Sequence, residues 1–250
     1  MGEIDSNNIK LPLFVDIGNT TIKAATRGMS KWEPLKPMGV ANAADFAQWL
    51  QENSTTFSKV VVSSVRSDIS AALQIELTGV PLKILTIADV ERTKLNYQTP
   101  NTLGIDRYFG CLGASSHSAK PVVVIDNGSA CTIDYMTANE IYMGGIIMPG
   151  LKSILNILSQ VAPELPTIEP QIPTVWPGKD TITSLQWGQV GFFVDGVHAA
   201  IERYKSAFGD FDLYLTGGDA VLLAPLLKGA IRSRSNLVFE GMERLLNELD

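Results

Sequence analysis

The sequence predicts an α/β protein whose mixed sheets come from two duplicated halves. Two observations carry that prediction. Apolar, β-branched runs that read as strands alternate with segments of helical periodicity along most of the chain, as in sheets flanked by helices and unlike a sandwich. The second observation is a repeat. Leu11–Gly28 (LPLFVDIGNTTIKAATRG) and Pro121–Met136 (PVVVIDNGSACTIDYM) share one layout, with Asp16 and Asp126 standing 110 residues apart. A spacing that long excludes a solenoid and suits a duplicated half-domain.

In the first copy, Leu13, Phe14 and Val15 read as a short buried strand, Asp16-Ile17-Gly18-Asn19-Thr20 as a tight turn, and Thr21–Thr26 as the returning strand. The turn offers a carboxylate suited to a hydrated Mg²⁺, a glycine that admits close backbone approach, an amide and two hydroxyls. Lys23 follows on the return strand. Turn-loving Asp, Gly and Asn make an ordinary hairpin equally well. The second copy tips the balance, with Asp126-Asn127-Gly128-Ser129 and then Thr132-Ile133-Asp134. Two such hairpins facing each other would grip one polyphosphate, an arrangement that resembles the actin, Hsp70 and sugar-kinase superfamily.

Between and beyond the hairpins the elements follow in order. Lys31–Val40 is a connection punctuated by Pro and Gly; Asn42 caps a helix over Ala43–Gln51 with Phe46, Trp49 and Leu50 on one face. Lys59–Val65 is a buried strand, Asp68–Leu77 a helix and Leu82–Ile87 a strand. Tyr97–Arg107 (YQTPNTLGIDR) is a chemically dense loop. Asp106 stands at or near the start of a helix running to about Ser118, where an N-cap role accounts for it. By the same standard Arg107 is a surface cation and Tyr97 a half-buried ring. Gly110, Gly113 and Ala114 are small, and the two glycines cost helix propensity; all three predict that another helix or a ligand comes close.

Tyr142–Gly150 is a strand bracketed by Gly-Gly and Pro-Gly, and Leu151–Val161 a helix. Ala162–Gly178 holds five prolines and cannot be regular structure; its length makes it a functional loop or a mobile one. Thr181–Tyr204 is mostly helical. Asp212–Thr216 is a strand that feeds Gly217-Gly218-Asp219 and a helix, Ala220–Leu227, a junction suited to an anion. An amphipathic helix, Glu240–Leu249, ends the chain.

Composition excludes several classes. The net charge of −6 and pI near 5.0 leave no electrostatic footprint for nucleic acid. Lys228–Arg234, the one locally basic stretch, reads as a solvated face. No run approaches 18 apolar residues, so no membrane span is expected. The polar start MGEIDSNNIK lacks a signal-peptide core, and Cys111 and Cys131 read as reduced, buried thiols; both point to the cytoplasm. His117 and His198, each in an expected helix, form neither a triad nor a metal cluster. A myristoylation pattern at Met1–Ser6 and a glycosylation sequon at Asn53-Ser54-Thr55 are short enough to be chance.

Six motifs in one order carry a closer resemblance: DIGNT (16–20), Tyr97 with GIDR (104–107), DNGSACTID (126–134), GGIIMPG (144–150), Thr181 seven residues before Gly188, and LTGGDA (215–220). From about Leu13 to Met242 the chain resembles the type III pantothenate kinases. That resemblance implies two duplicated RNase H-like (actin-like ATPase) domains, 11–118 and 119–250, and a homodimer; residues 1–10 depart from the family as an extension expected to be flexible. It implies transfer of the ATP γ-phosphate to the 4′-hydroxyl of pantothenate, the first step towards coenzyme A.

Carried over by position, the resemblance makes Asp106 the proton acceptor. ATP would be bound by Asp16, Ile17, Gly18, Asn19, Thr20, Thr21, Ile22 and Lys23, with Ser129, and with Gly217 and Gly218 near the nucleoside. Tyr97, Gly104, Ile105, Asp106, Arg107 and Thr181 would line the pantothenate site. Asp16 would organise Mg²⁺, and Asp126 would hold K⁺ or NH₄⁺. The chain departs from most members in carrying Asn127 and Ser129, where an apolar or small residue and Thr are usual. Asn127 adds a polar group whose partner the sequence does not name, and Cys131 inside the motif predicts sensitivity to oxidation. Two other readings compete: a different small-molecule kinase of the superfamily, and a non-catalytic regulatory or accessory protein on the same scaffold.

Overall fold

The computed structural model describes residues 10–28 and 31–250. Apart from Lys10, the expected N-terminal extension, like the myristoylation pattern, lies outside the described residues. In chain order the regular elements are β1 (Leu11–Ile17), β2 (Thr21–Arg27), β3 (Trp32–Pro34), β4 (Met38–Gly39), α1 (Ala43–Glu52), β5 (Phe57–Ser64), α2 (Ser67–Glu76), β6 (Leu82–Leu85) and α3 (Ile105–Ser115). There follow β7 (Val122–Asn127), β8 (Ala130–Met136), β9 (Tyr142–Pro149), α4 (Leu151–Val161), α5 (Thr181–Gln186), α6 (Phe192–Phe208), β10 (Asp212–Thr216), α7 (Ala220–Leu223), β11 (Ile231–Ser233) and α8 (Leu237–Leu249).

The duplication expected from the hairpins extends to whole sheets. One sheet runs β3-β2-β1-β5-β6, with β4 also on β2; the other runs β9-β8-β7-β10-β11. In each, three antiparallel strands are followed by two that add in parallel. Both are the mixed sheets of an RNase H-like half.

Alternation along β1 decides which residues meet the core. Leu13, Val15 and Ile17 join Phe46, Ala47 and Leu50 of α1 and Ile69 and Leu73 of α2. Phe14 and Asp16 therefore face the other side, where Phe14 meets Trp32 edge-on at 5.2 Å and Trp32 stacks on Phe239 of α8 at 5.6 Å. A slip of one residue would bury Asp16 in the α1/α2 core, so register here is strongly specified. In β7, Val123 and Ile125 join Ile133, Leu213 and Leu215 and the α6 residues Phe193, Val194 and Val197. Asp126 belongs to the opposite face.

Two compact units emerge, neither continuous in sequence. One gathers the chain up to Val90 with Asn101–Phe109 and Val238–Asp250; the other gathers Glu91–Pro100 with Gly110–Leu237. The small residues of α3 explain themselves locally. A Cβ on Gly113 would strike the Leu237 backbone, one on Gly241 would strike the Phe109 backbone, and Gly110 lies in contact range of Val124.

Several expectations need correction. The connection over residues 31–40 holds the short strands β3 and β4, which carry too few residues to show a period. The basic stretch Lys228–Arg234 keeps its three cations exposed, as a solvated face should, and also contains β11, whose Arg232 bonds Asp212 at 2.6 Å and the Tyr214 hydroxyl at 3.0 Å. α3 stops at Ser115, leaving His117 in the following turn. α7 stops at Leu223 and gives way to a 3₁₀ turn, Ala224–Leu226, because Pro225 has no N–H to donate. Ala162–Gly178 has no regular structure, as expected, but it is anchored. Ile168 and Ile172 pack on the core, Trp187 Nε1 donates to the Val175 carbonyl at 2.6 Å, and Trp176 meets Trp187 edge-on at 4.9 Å.

Candidate active site

In the first unit, the β1–β2 turn is braced from both sides: the Gly18 N–H donates to the Thr21 carbonyl at 3.0 Å, and the Val40 N–H donates to that of Thr20 at 2.9 Å. The Gly18 N–H is thus used within the turn, and the turn presents exposed Asn19 and Thr20 to its surroundings. Ile17 and Ile22 pair across the hairpin and are core residues. Thr21 pairs with Gly39 of β4.

Asp16 is 7% exposed and lies in register with Lys23 on one side and Ser63 of β5 on the other. The row Lys23–Asp16–Ser63 therefore shares one sheet face. Ser63 is fully buried, and among the described residues its hydroxyl has no hydrogen-bond partner. A buried hydroxyl without a partner is costly to the fold. Its place beside a carboxylate makes this face fit a hydrated divalent cation held chiefly through water and phosphate. Among the described residues, no three His, Cys, Asp or Glu side chains gather as a metal site. Ser63 was not legible as a site residue; the run KVVVSSV signals only a buried strand.

The Gly104–Arg107 turn also lies in the first unit. α3 begins at Ile105, which is buried, so Asp106 is the second helical residue and not the N-cap. Its carboxylate accepts the Arg107 N–H at 2.9 Å. A Cβ on Gly104 would lie 2.6 Å from Asp106 Oδ1, so a bare residue is required there for the carboxylate to sit back on the helix start. Asp106 and Arg107 are both half-buried, which removes the reading of Arg107 as a plain surface cation.

The second unit holds the other predicted residues: Tyr97, Asp126, Ser129, Thr181, Gly217 and Gly218. Asp126 is half-buried and in register with Thr216 of β10. Gly217, at φ +102, lies against the Asp126 carboxylate and the Asn127 carbonyl, where any Cβ would collide. The second hairpin and the LTGGDA junction are thus one construction. The partner that Asn127 lacked in sequence is now plain. Fully buried, its Nδ2 donates to the Asp219 carbonyl at 3.0 Å and its Oδ1 accepts the Leu151 N–H at 3.2 Å. Ser129 is exposed, and its carbonyl accepts from Ser153 Oγ and the Gly150 N–H. Thr181 opens α5 just after its N-cap Asp180 and lines a groove of about 590 Å³ with Ile154, Leu158 and Gln189.

Cys131 is wholly buried, and burial, then the charges of Asp126 and Asp134, push its thiol up to about 12. A protonated, inaccessible thiol is inert, which overturns the expected sensitivity to oxidation. The folded thiol keeps its proton between the ordinary 9.0 and about 12, where the unfolded one has lost it. Stability should therefore fall as pH rises through that window. Cys131→Ala is expected to lose that alkaline component, measured by urea unfolding at about pH 8 and about pH 10, and the native wild type should resist iodoacetamide.

Two sheets of one strand order, each opening with an acidic hairpin, define a member of the actin-like ATPase and sugar-kinase fold class. A Listeria monocytogenes protein provisionally described as an N-acetylmannosamine kinase shares that fold, with a TM-score of 0.57 at 12% identity over 96% of this chain and 100% of its own. Within the class, the family profile of the type III pantothenate kinases matches residues 12–203. The type III pantothenate kinase of Flavobacterium johnsoniae is 32% identical over 238 residues, covering 93% of this chain and 96% of its own. That of Christiangramia forsetii is 32% identical over 242 residues, covering 94% and 97%. A Campylobacter jejuni structure assigned to the Baf family of transcriptional activators has a TM-score of 0.65 at 26% identity, covering 95% and 98%. The chain belongs to the type III pantothenate kinase family.

Proposed function

We propose that this protein is an ATP-dependent kinase that moves the γ-phosphate of ATP to the 4′-hydroxyl of pantothenate, the first step of coenzyme A synthesis. The observation that supports this most is the Gly104–Arg107 turn, where a half-buried carboxylate and a half-buried guanidinium stand side by side at the start of α3. Phosphoryl transfer to an alcohol asks a protein mainly to position reactants and offset charge. Asp106 accepts the hydroxyl proton. Arg107 pairs with the substrate carboxylate, fixing the far end of pantothenate. Tyr97, Gly104, Ile105 and Thr181 complete the pantothenate site.

Residues Asp16–Lys23 bind ATP phosphate, Ser129 touches ATP, and Gly217 and Gly218 lie near the nucleoside. Asp16 holds the Mg²⁺ that ATP brings, which supplies charge neutralisation at the transferring phosphate. Asp126 holds a monovalent cation, K⁺ or NH₄⁺. The duplicated halves are 11–118 and 119–250, since their strands divide between the two sheets, although α8 returns to the first unit. The protein works as a cytoplasmic homodimer.

The likeness to the Campylobacter jejuni protein keeps a second reading, an accessory factor without catalysis, within the test. Coupled detection of ADP release with pantothenate and Mg²⁺ is expected to show substrate-dependent turnover in K⁺ and a lower rate in Na⁺. No pantothenate-dependent turnover, with none in a wider substrate screen, would favour the accessory factor; turnover on another substrate would favour a different kinase. Equal rates in K⁺ and Na⁺ would make Asp126 purely structural. Arg107→Ala is expected to raise the pantothenate KM about 10- to 100-fold, the size of a lost charge-assisted pair, with the ATP KM nearly unchanged.

A further inference from the structure

We propose that Tyr142, held by Asp134, is the positioning residue that fixes Tyr97 in the pantothenate site; this rests on the reading of Tyr97 as a substrate contact. Tyr97 sits in a segment with little regular structure, Glu91–Pro100, which holds a 3₁₀ turn at Arg92–Lys94 and the first residue of another at Pro100. Such a segment holds a side chain still only if something else holds the segment. Its attachments converge on the start of β9. Leu95 forms a parallel β-bridge with Tyr142, and the Asn96 N–H donates to the Tyr142 carbonyl at 2.9 Å. Lys94 pairs with Glu140 at 3.3 Å, just before β9. Arg92 then closes the segment on itself by donating to the carbonyls of Leu95 and Tyr97.

The ring of Tyr97 has its own seat. Its centroid is 6.0 Å from that of Tyr142, with the planes at 56°. Gly144, at φ +94, lies beneath it: a Cβ there would stand 3.5 Å from Tyr97 Cδ2. Tyr142 is entirely buried and its hydroxyl donates to Asp134 Oδ1 at 2.8 Å. Asp134 is 2% exposed, and Gly145 leaves room for its carboxylate, since a Cβ at 145 would collide with it. For stability alone this is an expensive arrangement. A buried carboxylate in mid-strand carries a desolvation cost that an apolar pair of similar volume would avoid. What the polar pair adds is direction: a ring tethered at its hydroxyl presents one face to Tyr97, whereas an untethered ring is oriented by packing alone.

The test is steady-state kinetics on the full-length enzyme. Tyr142→Phe keeps the ring and removes the tether. It is expected to raise the pantothenate KM about three- to tenfold, the range of one lost hydrogen bond, with kcat and the ATP KM within about twofold. A merely structural role would lower thermal stability and leave that split absent. Tyr97→Ala supplies the reference, and the double variant should be no worse in pantothenate KM than Tyr97→Ala alone, as two groups acting through one contact require. Gly144→Ala reaches the same ring from below through a strained φ and is expected to show the same KM-only signature. If Tyr97→Ala leaves the KM unchanged, Tyr97 is not a substrate contact and the reading beneath the proposal fails. If Tyr97→Ala raises the KM while Tyr142→Phe and Gly144→Ala do not, or if the effects add, the positioning role is overturned.

Discussion

Asp106→Asn is expected to leave the protein folded and to lower kcat about 10²- to 10⁴-fold, the usual contribution of a positioned general base. One contact of this carboxylate, acceptance of the Arg107 N–H at 2.9 Å, is one that the Asn side-chain oxygen also makes. The interaction of a negative charge with the first turn of α3 is worth about 0.3–1 kcal/mol, far too little to unfold a chain of this size. On the proposed mechanism catalysis has a large stake, because an amide has no basic oxygen to take the proton of the attacking hydroxyl. The pantothenate KM should change little, since that mechanism gives the anchoring of the substrate to Arg107 and not to Asp106. Circular dichroism and the melting temperature check the first half of the expectation and initial rates the second. A folded Asp106→Asn protein with wild-type kcat would remove Asp106 from the mechanism. A neighbouring substitution gives a contrast: Gly104→Ala keeps the carboxylate but puts a Cβ 2.6 Å from Asp106 Oδ1, so it should disturb the position of the base without removing it.

What the sequence made legible, and what it hid, follows from the range over which each signal acts. β1 and β7 were readable because each is a continuous apolar run ending in Asp, and the repeat of that run carried the duplicated sheet order with it. α4 and β10 were readable at both ends, one starting after Pro-Gly and the other ending in Gly-Gly. β3, β4 and β11 were not: each is only two or three residues long and depends on a neighbouring strand for its hydrogen bonds. Among the candidate residues, Asp16, Asp106 and Asp126 stood out because turn chemistry and motif order are local. Ser63 stayed hidden because its meaning comes from being in register with Asp16 across two strands 47 residues apart. Tyr142 was hidden for a similar reason. Its bond to Asp134 crosses a register shift between β8 and β9, and its contact with Tyr97 joins segments that share no local pattern.

Asn127→Ala should be the most damaging single change to stability in the second hairpin, at about 2–5 kcal/mol, because it strands a buried and a part-buried backbone group at once. Asn127 Nδ2 serves the Asp219 carbonyl and its Oδ1 serves the Leu151 N–H, 92 residues on and 24 residues on in sequence. A methyl can serve neither backbone group, and water cannot easily reach the Leu151 N–H, whose bond to Asn127 is buried. At roughly 2–4 °C per kcal/mol for a protein of this length, the melting temperature should drop by about 5–15 °C. The consequence for function is directional. Asp219 is tied to residue 127 twice, through the amide side chain and through its own N–H on the Asn127 carbonyl at 2.9 Å. Loss of the first tie loosens the Gly217-Gly218 turn, whose φ of +102 at Gly217 depends on that bracing. The ATP KM should therefore rise more than the pantothenate KM. Asn127→Asp separates the two effects: its carboxylate can still accept the Leu151 N–H but cannot donate to the Asp219 carbonyl. A stable Asn127→Ala protein with an unaltered ATP KM would show that the tie supports neither the fold nor a nucleotide role for the Gly217-Gly218 turn.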